Sequence, residues 1–399
     1  MSYRNPQFHS KGFRQGYLIV VPVAVLLLTG CMFGPRQLKD GHLAYNETVR
    51  LSSDQELLLN IVRIRYLDTI EFMSISSISS QLSFSIGVGA NLGEEAGQST
   101  NLGLGEASWA SRPTFTFVPQ RGGNFAKMVT TPVPVSILTS LAAADWDIPV
   151  LFQLMAQDVN GNENMTGLIS EEFLEFTDLL GDLQERADLY FGTIEIRENI
   201  SDPIPREYVS GADLIEAAKS EYRFDLDDSG KNYILTRPLS QPVLYIPHEA
   251  PERKRLFELL HLQHLVGPYV ELMAGKYPEE ALDEIKLIMV STRSILDTIA
   301  YLAGGVEIPE AHIASGWASP TWPAEAAQSK DLKGLLRINV SDNRPKDSLA
   351  VWHRGYWFYL AENDNRSKMA FLTLAEILRM ALSPSEDSKT PILTLPVGR

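Results

Sequence analysis

From Leu82 to Leu92 the chain alternates without a break. Leu82, Phe84, Ile86, Val88, Ala90 and Leu92 fall on one side, and Ser83, Ser85, Gly87, Gly89 and Asn91 on the other. A period of two predicts a long strand with one apolar face and one small, polar face. A polar, glycine-containing connection at 94–100 follows. Leu102, Leu104, Phe115 and Phe117 then predict a return strand, demoted in its middle by Pro113, so that 78–118 reads as one long hairpin. Elsewhere the period changes. Ser53-Asp54-Gln55-Glu56 has the form of a capping box for a helix through Leu57, Leu58, Ile61, Val62 and Ile64 to about Tyr66. Residues 123–157 predict helix with breaks at Pro132, Pro134 and Pro149, and Asn160–Asn164 a polar loop. Phe173, Phe176, Leu180, Leu183, Ala187 and Tyr190 recur at spacings of three and four, predicting an amphipathic helix from near Ser170.

The proline-containing stretch Ser201–Pro205 marks an expected boundary between a region 53–200 and a domain 201–399. Beyond it the pattern predicts a helix at Ser210–Ser220 and strands at Tyr222–Leu226 and Tyr233–Thr236 around the turn Asp227-Asp228-Ser229-Gly230. Helices near 251–265, in 278–284 and at Ser294–Ala303 follow, with a strand at Ile285–Val290 and a loop from Pro309 to Ser329. The tail predicts strands at Leu335–Val340, Leu349–His353 and Tyr356–Leu360, a helix at Ser367–Leu382 and a last strand at Ile392–Leu395. The class is α+β, with a long N-terminal β-hairpin, a helical middle and a C-terminal mixed sheet with a packed helix.

At the amino terminus, Arg4, Lys11 and Arg14 precede an apolar run from Tyr17 to Leu28 that is too short to cross a bilayer comfortably. It closes in Leu28-Thr29-Gly30-Cys31, and there the chain resembles the bacterial lipoprotein family. The resemblance implies that residues 1–30 are removed and that Cys31 carries a diacylglycerol thioether and an acylated amino group, with 31–52 as a tether. Three acyl chains, at about 0.8 kcal/mol per buried CH2, hold stably where one is marginal. Met32 follows the cysteine where that class carries Asp for inner-membrane retention, which implies the outer membrane, facing the periplasm. Tyr45-Asn46, the run Leu57 to Arg63, and Gly355 to Tyr359 followed by Ser367-Lys368 are similar to a set of uncharacterised envelope lipoproteins. That second likeness carries no activity to transfer.

Charge narrows the partners. Against 35 Lys and Arg stand 50 Asp and Glu, a net charge of -15 that becomes -18 without residues 1–30. Nucleic acid is excluded as a partner, because affinity for it rests on cations neutralising phosphates. An acidic body is repelled by anionic headgroups and projects from them. The single cysteine excludes a disulfide framework, a zinc ribbon and a CxxC centre.

Few residues suggest chemistry. Asp225, Asp227, Ser229 and Gly230 match the first half of a calcium loop, but position twelve is Thr236 where a bidentate Glu is needed. Glu258, His261 and His264 fall three apart on the expected 251–265 helix and so share a face that could present two imidazoles to a metal, yet no third His or acidic cluster lies nearby in sequence. Gly87 to Gly93 only loosely matches a dinucleotide loop and lies in a strand pattern. No nucleophile elbow, Walker loop or HExxH is present, so no catalytic residue, metal or cofactor is expected. Trp352, Tyr356 and Trp357, with Phe358 and Tyr359, suit either a stacking platform for sugar or peptide or a core sheet, since alternation sends half of them to each face.

The hairpin has two readings. Either it folds over the protein's own helices, or Leu82, Phe84, Ile86, Val88, Leu92, Leu102 and Leu104 face lipid in a barrel shared among protomers. Glu106, Arg112 and Pro113 fit lipid badly and favour the first. The expected function is therefore a non-enzymatic interaction or scaffolding role in the envelope, with protein partners. The alternatives are a subunit of a homo-oligomeric pore or export channel, and an envelope hydrolase or glycan-binding module.

Overall fold

The computed structural model describes residues 33–89, 103–166, 168–276, 286–322 and 335–382. Cys31 and its approach Leu28-Thr29-Gly30, Leu92, Leu102, the expected helix in 278–284 and the strand at Ile392–Leu395 lie outside the described residues. The chain divides into two units, residues 1–56 and 57–399.

Helix α1, Phe33–Arg65, begins in the first unit and ends in the second. The stretch expected as a tether is thus helical from Phe33, and the expected start at Ser53 is passed without a break. The reason is local. Asp54, a capping residue by type, pairs instead with Arg50 one turn back, Nη1 to Oδ2 at 2.8 Å, and Arg50 also holds Glu47. In the second unit Leu57, Leu58, Ile61 and Val62 of the same helix are buried in the core.

Strands β1 (Met73–Gly89) and β2 (Gly103–Pro119) follow and form a two-stranded antiparallel sheet of their own. Pro113 pairs with Ser80 and interrupts nothing. A two-stranded ribbon has only edge strands, where proline is tolerated. Among the described residues β1 and β2 pair only with each other.

The helical middle comprises α2 (Gly123–Thr130), α3 (Val135–Ala143) and α4 (Ile148–Met155). Pro132 and Pro134 separate the first two helices, whereas Pro149 lies in the first turn of α4, where a missing N–H costs nothing. Strands β3 (Ala156–Val159) and β4 (Asn162–Met165) turn over where a polar loop was expected. Asn160 and Gly161, with φ 49 and 86, form the two-residue turn that Asn-Gly favours. After β5 (Leu168–Ile169) comes α5, Glu171–Glu185, with the Ser170 side chain accepting from the N–H of Phe173. Phe173, Phe176, Leu180 and Leu183 are buried as their spacing predicts, each contributing roughly 1.5–3 kcal/mol. Ala187, at φ 57, ends the helical run, and Tyr190 opens a strand instead of continuing it.

That strand, β6 (Tyr190–Asn199), enters the main sheet with β7 (Ile204–Pro205), β8 (Arg223–Leu226), β9 (Asn232–Tyr245), β10 (Tyr269–Ala274) and β11 (Ile288–Thr292). Its order is β5-β4-β3-β11-β10-β9-β6, with β7 and β8 also on β9; only β10 and β11 are parallel. The sheet joins strands from both sides of Ser201–Pro205, so this stretch connects paired strands rather than dividing two domains. Helix α6 (Gly211–Lys219) opens with a reciprocal Ser210–Asp213 capping box, and α7 (Pro251–Leu259) ends at Leu259, short of the expected 265. Helix α8 (Ile295–Leu302) opens with a second box, Ser294–Asp297, and α9 (Glu310–Ala314) lies in the expected loop. A three-stranded sheet of β12 (Asn339–Ser341), β14 and β13, with β13 at Ala350–His353 and β14 at Tyr356–Tyr359, precedes α10, Asn365–Leu382. The class is α+β, with the mixed sheet at the centre of the second unit.

Candidate functional site

A set of polar and aromatic side chains in the second unit gathers around Tyr66, just past the end of α1. Leu67, at φ 58, turns the chain there; its N–H reaches the carbonyl of Ile64 and the Asp68 N–H that of Arg63. This paired closure of a helix end usually has glycine at the left-handed position. It sets the Asp68 carboxylate beside the β13–β14 turn, whose central residues Arg354 and Gly355 both have positive φ, 47 and 95. Arg354 donates from Nη2 to Asp68 Oδ1 at 2.7 Å, and its guanidinium lies 5.2 Å from the Tyr66 ring centre and 5.8 Å from that of Trp317. Beneath it the Tyr66 hydroxyl meets His312 Nδ1 at 2.6 Å. His353 Nε2 lies 3.2 Å from Asp68 Oδ2, off the line a hydrogen bond needs.

The electrostatics show what this cluster does. Burial pushes Tyr66 up to about 12, against the opposing pull of Arg354 and Arg65. Burial lowers His312 and His353, so both imidazoles are neutral at neutral pH. The phenol therefore keeps its proton, and the Tyr66 hydroxyl and His312 Nδ1 share a hydrogen bond between two neutral groups. A nucleophile needs the opposite arrangement, a lowered pKa beside a strong base. The cluster locks the turn of the small sheet onto the end of a helix.

Of the aromatic residues singled out in sequence, Tyr356 faces this cluster, 5.0 Å from His312 edge to face, while Phe358 beside it is fully buried. Trp352 and Trp357 pair across the strands on the outer face, where Trp352 is 52% exposed and Arg344 lies over Trp357. The two indoles meet at 61°, edge to face, and so offer no coplanar platform for a sugar ring.

The other sequence candidates resolve into structure. Asp227 accepts from Ser229 Oγ, Asn232 Nδ2 and the N–H groups of Lys231 and Asn232, which hold it at about 2, with the Asn232 side chain the largest cause. It caps a turn with its own oxygens occupied. His261, at φ 58, and His264 lie beyond the end of α7, so they share no helical face with Glu258. No cluster of metal-ligating side chains occurs among the described residues. Gly87 and Gly89 are in β1, and 90–93 lie outside the described residues.

The ribbon is a second candidate feature, and its register could not be read from the sequence. Cross-strand partners share a face. One face carries Ile78 with Phe115, Ser80 with Pro113, Leu82 with Ser111, Phe84 with Trp109, Ile86 with Ala107 and Val88 with Leu104. The other carries Ser77 with Thr116, Ser79 with Thr114, Gln81 with Arg112, Ser83 with Ala110 and Ser85 with Ser108. Arg112 is thus off the apolar face, and Glu106 falls in a bulge opposite Gly87, also on the polar side. The sequence-based objection to a membrane ribbon is removed for both charges. At the root, where Met73, Phe117 and Val118 are 49%, 51% and 42% exposed, large apolar groups stand in solvent.

No family model, curated protein or solved structure matches this chain.

Sequence reasoning placed Tyr66 at a helix end and Arg354 in a turn but did not single out Asp68 or His312 or bring the four together, because they come from three separate stretches of chain. It also missed Arg293, which is fully buried over the Tyr301 ring at 3.9 Å. Its Nη1 donates to the carbonyls of Gln153, Leu154 and Ala156, and its Nη2 to that of Asn164. Burial lowers it to about 10. The signal available for the buried asparagines beside it was the Asn160-Gly161 dipeptide, a hairpin signature within the apparent loop.

Proposed function

We propose that this protein is a lipid-anchored outer-membrane protein of a bacterial envelope, its body facing the periplasm, that works as a non-enzymatic assembly subunit through its ribbon. One observation carries the reading: β1 and β2, 17 residues each, form a separate sheet in which, among the described residues, neither outer edge is paired with a further strand. Unpaired strand edges are templates for pairing with another chain, and soluble proteins ordinarily cover or blunt them. A lone two-stranded hairpin is also marginal in water, so a ribbon of this length gains its stability from what it joins. Anchoring on Cys31 concentrates the chain in a plane, which raises the chance of encounter. Among the described residues no helix is long and apolar enough to cross a membrane.

The experiment is the native size of the full, lipidated protein extracted from its own membranes in mild detergent, with and without residues 74–118. The full chain is expected in an assembly several times the mass of one chain, and the deletion as a folded, membrane-bound monomer. Cys31→Ser is expected to release the protein from the membrane fraction. A full chain that is monomeric in its native membranes overturns the assembly role.

A further inference from the structure

We propose that the partner of the ribbon is a second copy of this chain, and that several copies each donate β1 and β2 to close a single transmembrane β-barrel. The proposal rests on the preceding reading that the ribbon is the assembly element, and it adds what the ribbon joins and which face meets lipid.

The register is the first argument. A barrel strand in a bilayer needs residues that are apolar on one face and small or polar on the other. From Ile78 to Val88 one face of the ribbon carries Ile78, Leu82, Phe84, Ile86 and Val88 with Phe115, Pro113, Trp109, Ala107 and Leu104 across from them or beside them, broken only by the small residues Ser80 and Ser111. Both charged residues of the described strands, Glu106 and Arg112, fall on the other face. A surface element designed only to rest in water has no reason to sort its charges in this way.

Length is the second. The apolar face from Ile78 to Val88 extends about 33 Å at ~3.3 Å per residue. Tilted by ~40°, as barrel strands are, it rises about 25 Å, the height of the apolar band of an outer-membrane barrel. The remainder of each strand, toward Met73 and Pro119, lies outside that band, with Met73, Phe117 and Val118 exposed at the root.

The edges are the third argument, and they select the partner. β1 and β2 run antiparallel and have equal length. The free edge of β2 in one copy therefore meets the free edge of β1 in the next with matching length and direction, and the same contact repeats head to tail. Such a heterologous contact ends only in a closed ring or an open fibre, and closure is what removes every edge. The strand number is even by construction. An open, water-filled lumen needs ~16 strands, hence about eight copies. Pro113 forfeits one rung of the ladder per copy, a small loss against the rest.

The test uses the full, lipidated protein in native membranes. Cys31 is the chain's single cysteine and its sulfur is taken by the anchor, so cysteines introduced one at a time at 82, 83, 84 and 85 are the only free thiols. A membrane-impermeant maleimide is expected to label Ser83→Cys and Ser85→Cys at least tenfold faster than Leu82→Cys and Phe84→Cys. The purified assembly is expected to conduct ions in a planar bilayer. Under a tenfold KCl gradient, Arg112→Glu should shift its reversal potential toward cations. A large assembly whose four positions label at one rate, or which does not conduct, overturns the barrel and leaves the assembly role standing. A monomer in native membranes overturns both. Labelling of odd positions only, in an assembly that loses its size when 74–118 is removed, supports it.

Discussion

Arg354 and Asp68 lie 286 residues apart in the chain and meet at 2.7 Å, Nη2 to Oδ1, joining the turn of the small sheet to the end of α1. Arg354 holds a left-handed backbone, φ 47, that costs a non-glycine residue roughly 1–2 kcal/mol. The pair and the two aromatic rings offset that strain. Arg354→Ala keeps the strain and removes the contacts, and is expected to lower stability by about 1–2 kcal/mol in urea denaturation. Arg354→Asn suits the turn and is expected to fall within about 0.5 kcal/mol of the native chain. Both variants lose the contacts, so an equal loss would show that the left-handed backbone of residue 354 contributes little and that the contacts account for the effect.

Acid weakens the same junction. His312 and His353 are held below the ordinary 6.5, chiefly by burial; Asp68 opposes the shift at His353, while Arg354 and Arg63 reinforce it. The unfolded chain thus binds more protons than the folded one in this window. The stabilisation is complete above about 6.5 and is lost as pH falls through the two lowered values. The urea midpoint is expected to fall between pH 7.5 and 5, and to fall less in His353→Asn. A native chain whose midpoint rises on acidification contradicts this account.

Two buried arginines should respond in opposite ways. Arg293 meets four backbone carbonyls, so Arg293→Met leaves acceptors unpaired in the core and is expected to cost about 3–5 kcal/mol. Arg65 is also buried, but among the described residues it donates only from Nη2, to Ser319, and its Nε and Nη1 meet no acceptor. Arg65→Met removes a desolvated charge with little to lose and is expected within about 1 kcal/mol of the native chain, or above it. Thermal melts of the two variants side by side decide the matter.

Gly305 is a packing requirement. A Cβ there would lie 1.9 Å from the carbonyl oxygen of Leu336, while the Gly305 carbonyl accepts from the N–H of Ile338. Gly305→Ala must move one backbone segment off the other and is expected to cost about 1–3 kcal/mol or more. Gly192→Ala, with open space around it, is the matched control and should be near neutral in the same melt.

Much of the fold was legible because its causes are short-range. The α5 stripe of Phe173, Phe176, Leu180 and Leu183, the Ser210 and Ser294 caps, the Arg354-Gly355 turn and the long β1 alternation each arise within a few residues of chain. The errors lie where distant partners decide. Tyr190 fits a helical spacing, but β9 claims it for the sheet along the whole of β6. Asn160, Asn162 and Asn164 look like a solvated loop, yet each is buried and donates to backbone carbonyls, those of Asn160 and Asn162 about a hundred residues away.

The sequence by itself determined the periods, the caps and turns, and the excess of acid over base, since these depend only on neighbouring residues and on composition. Tertiary structure decided the order of the main sheet, the joining of Tyr66 to His312 and Asp68 to Arg354, and the register that takes Arg112 off the apolar face of the ribbon. The physical reason is that register and long-range contact are properties of pairs. A strand's alternation shows that it has two faces, but only its partner shows which residues share them.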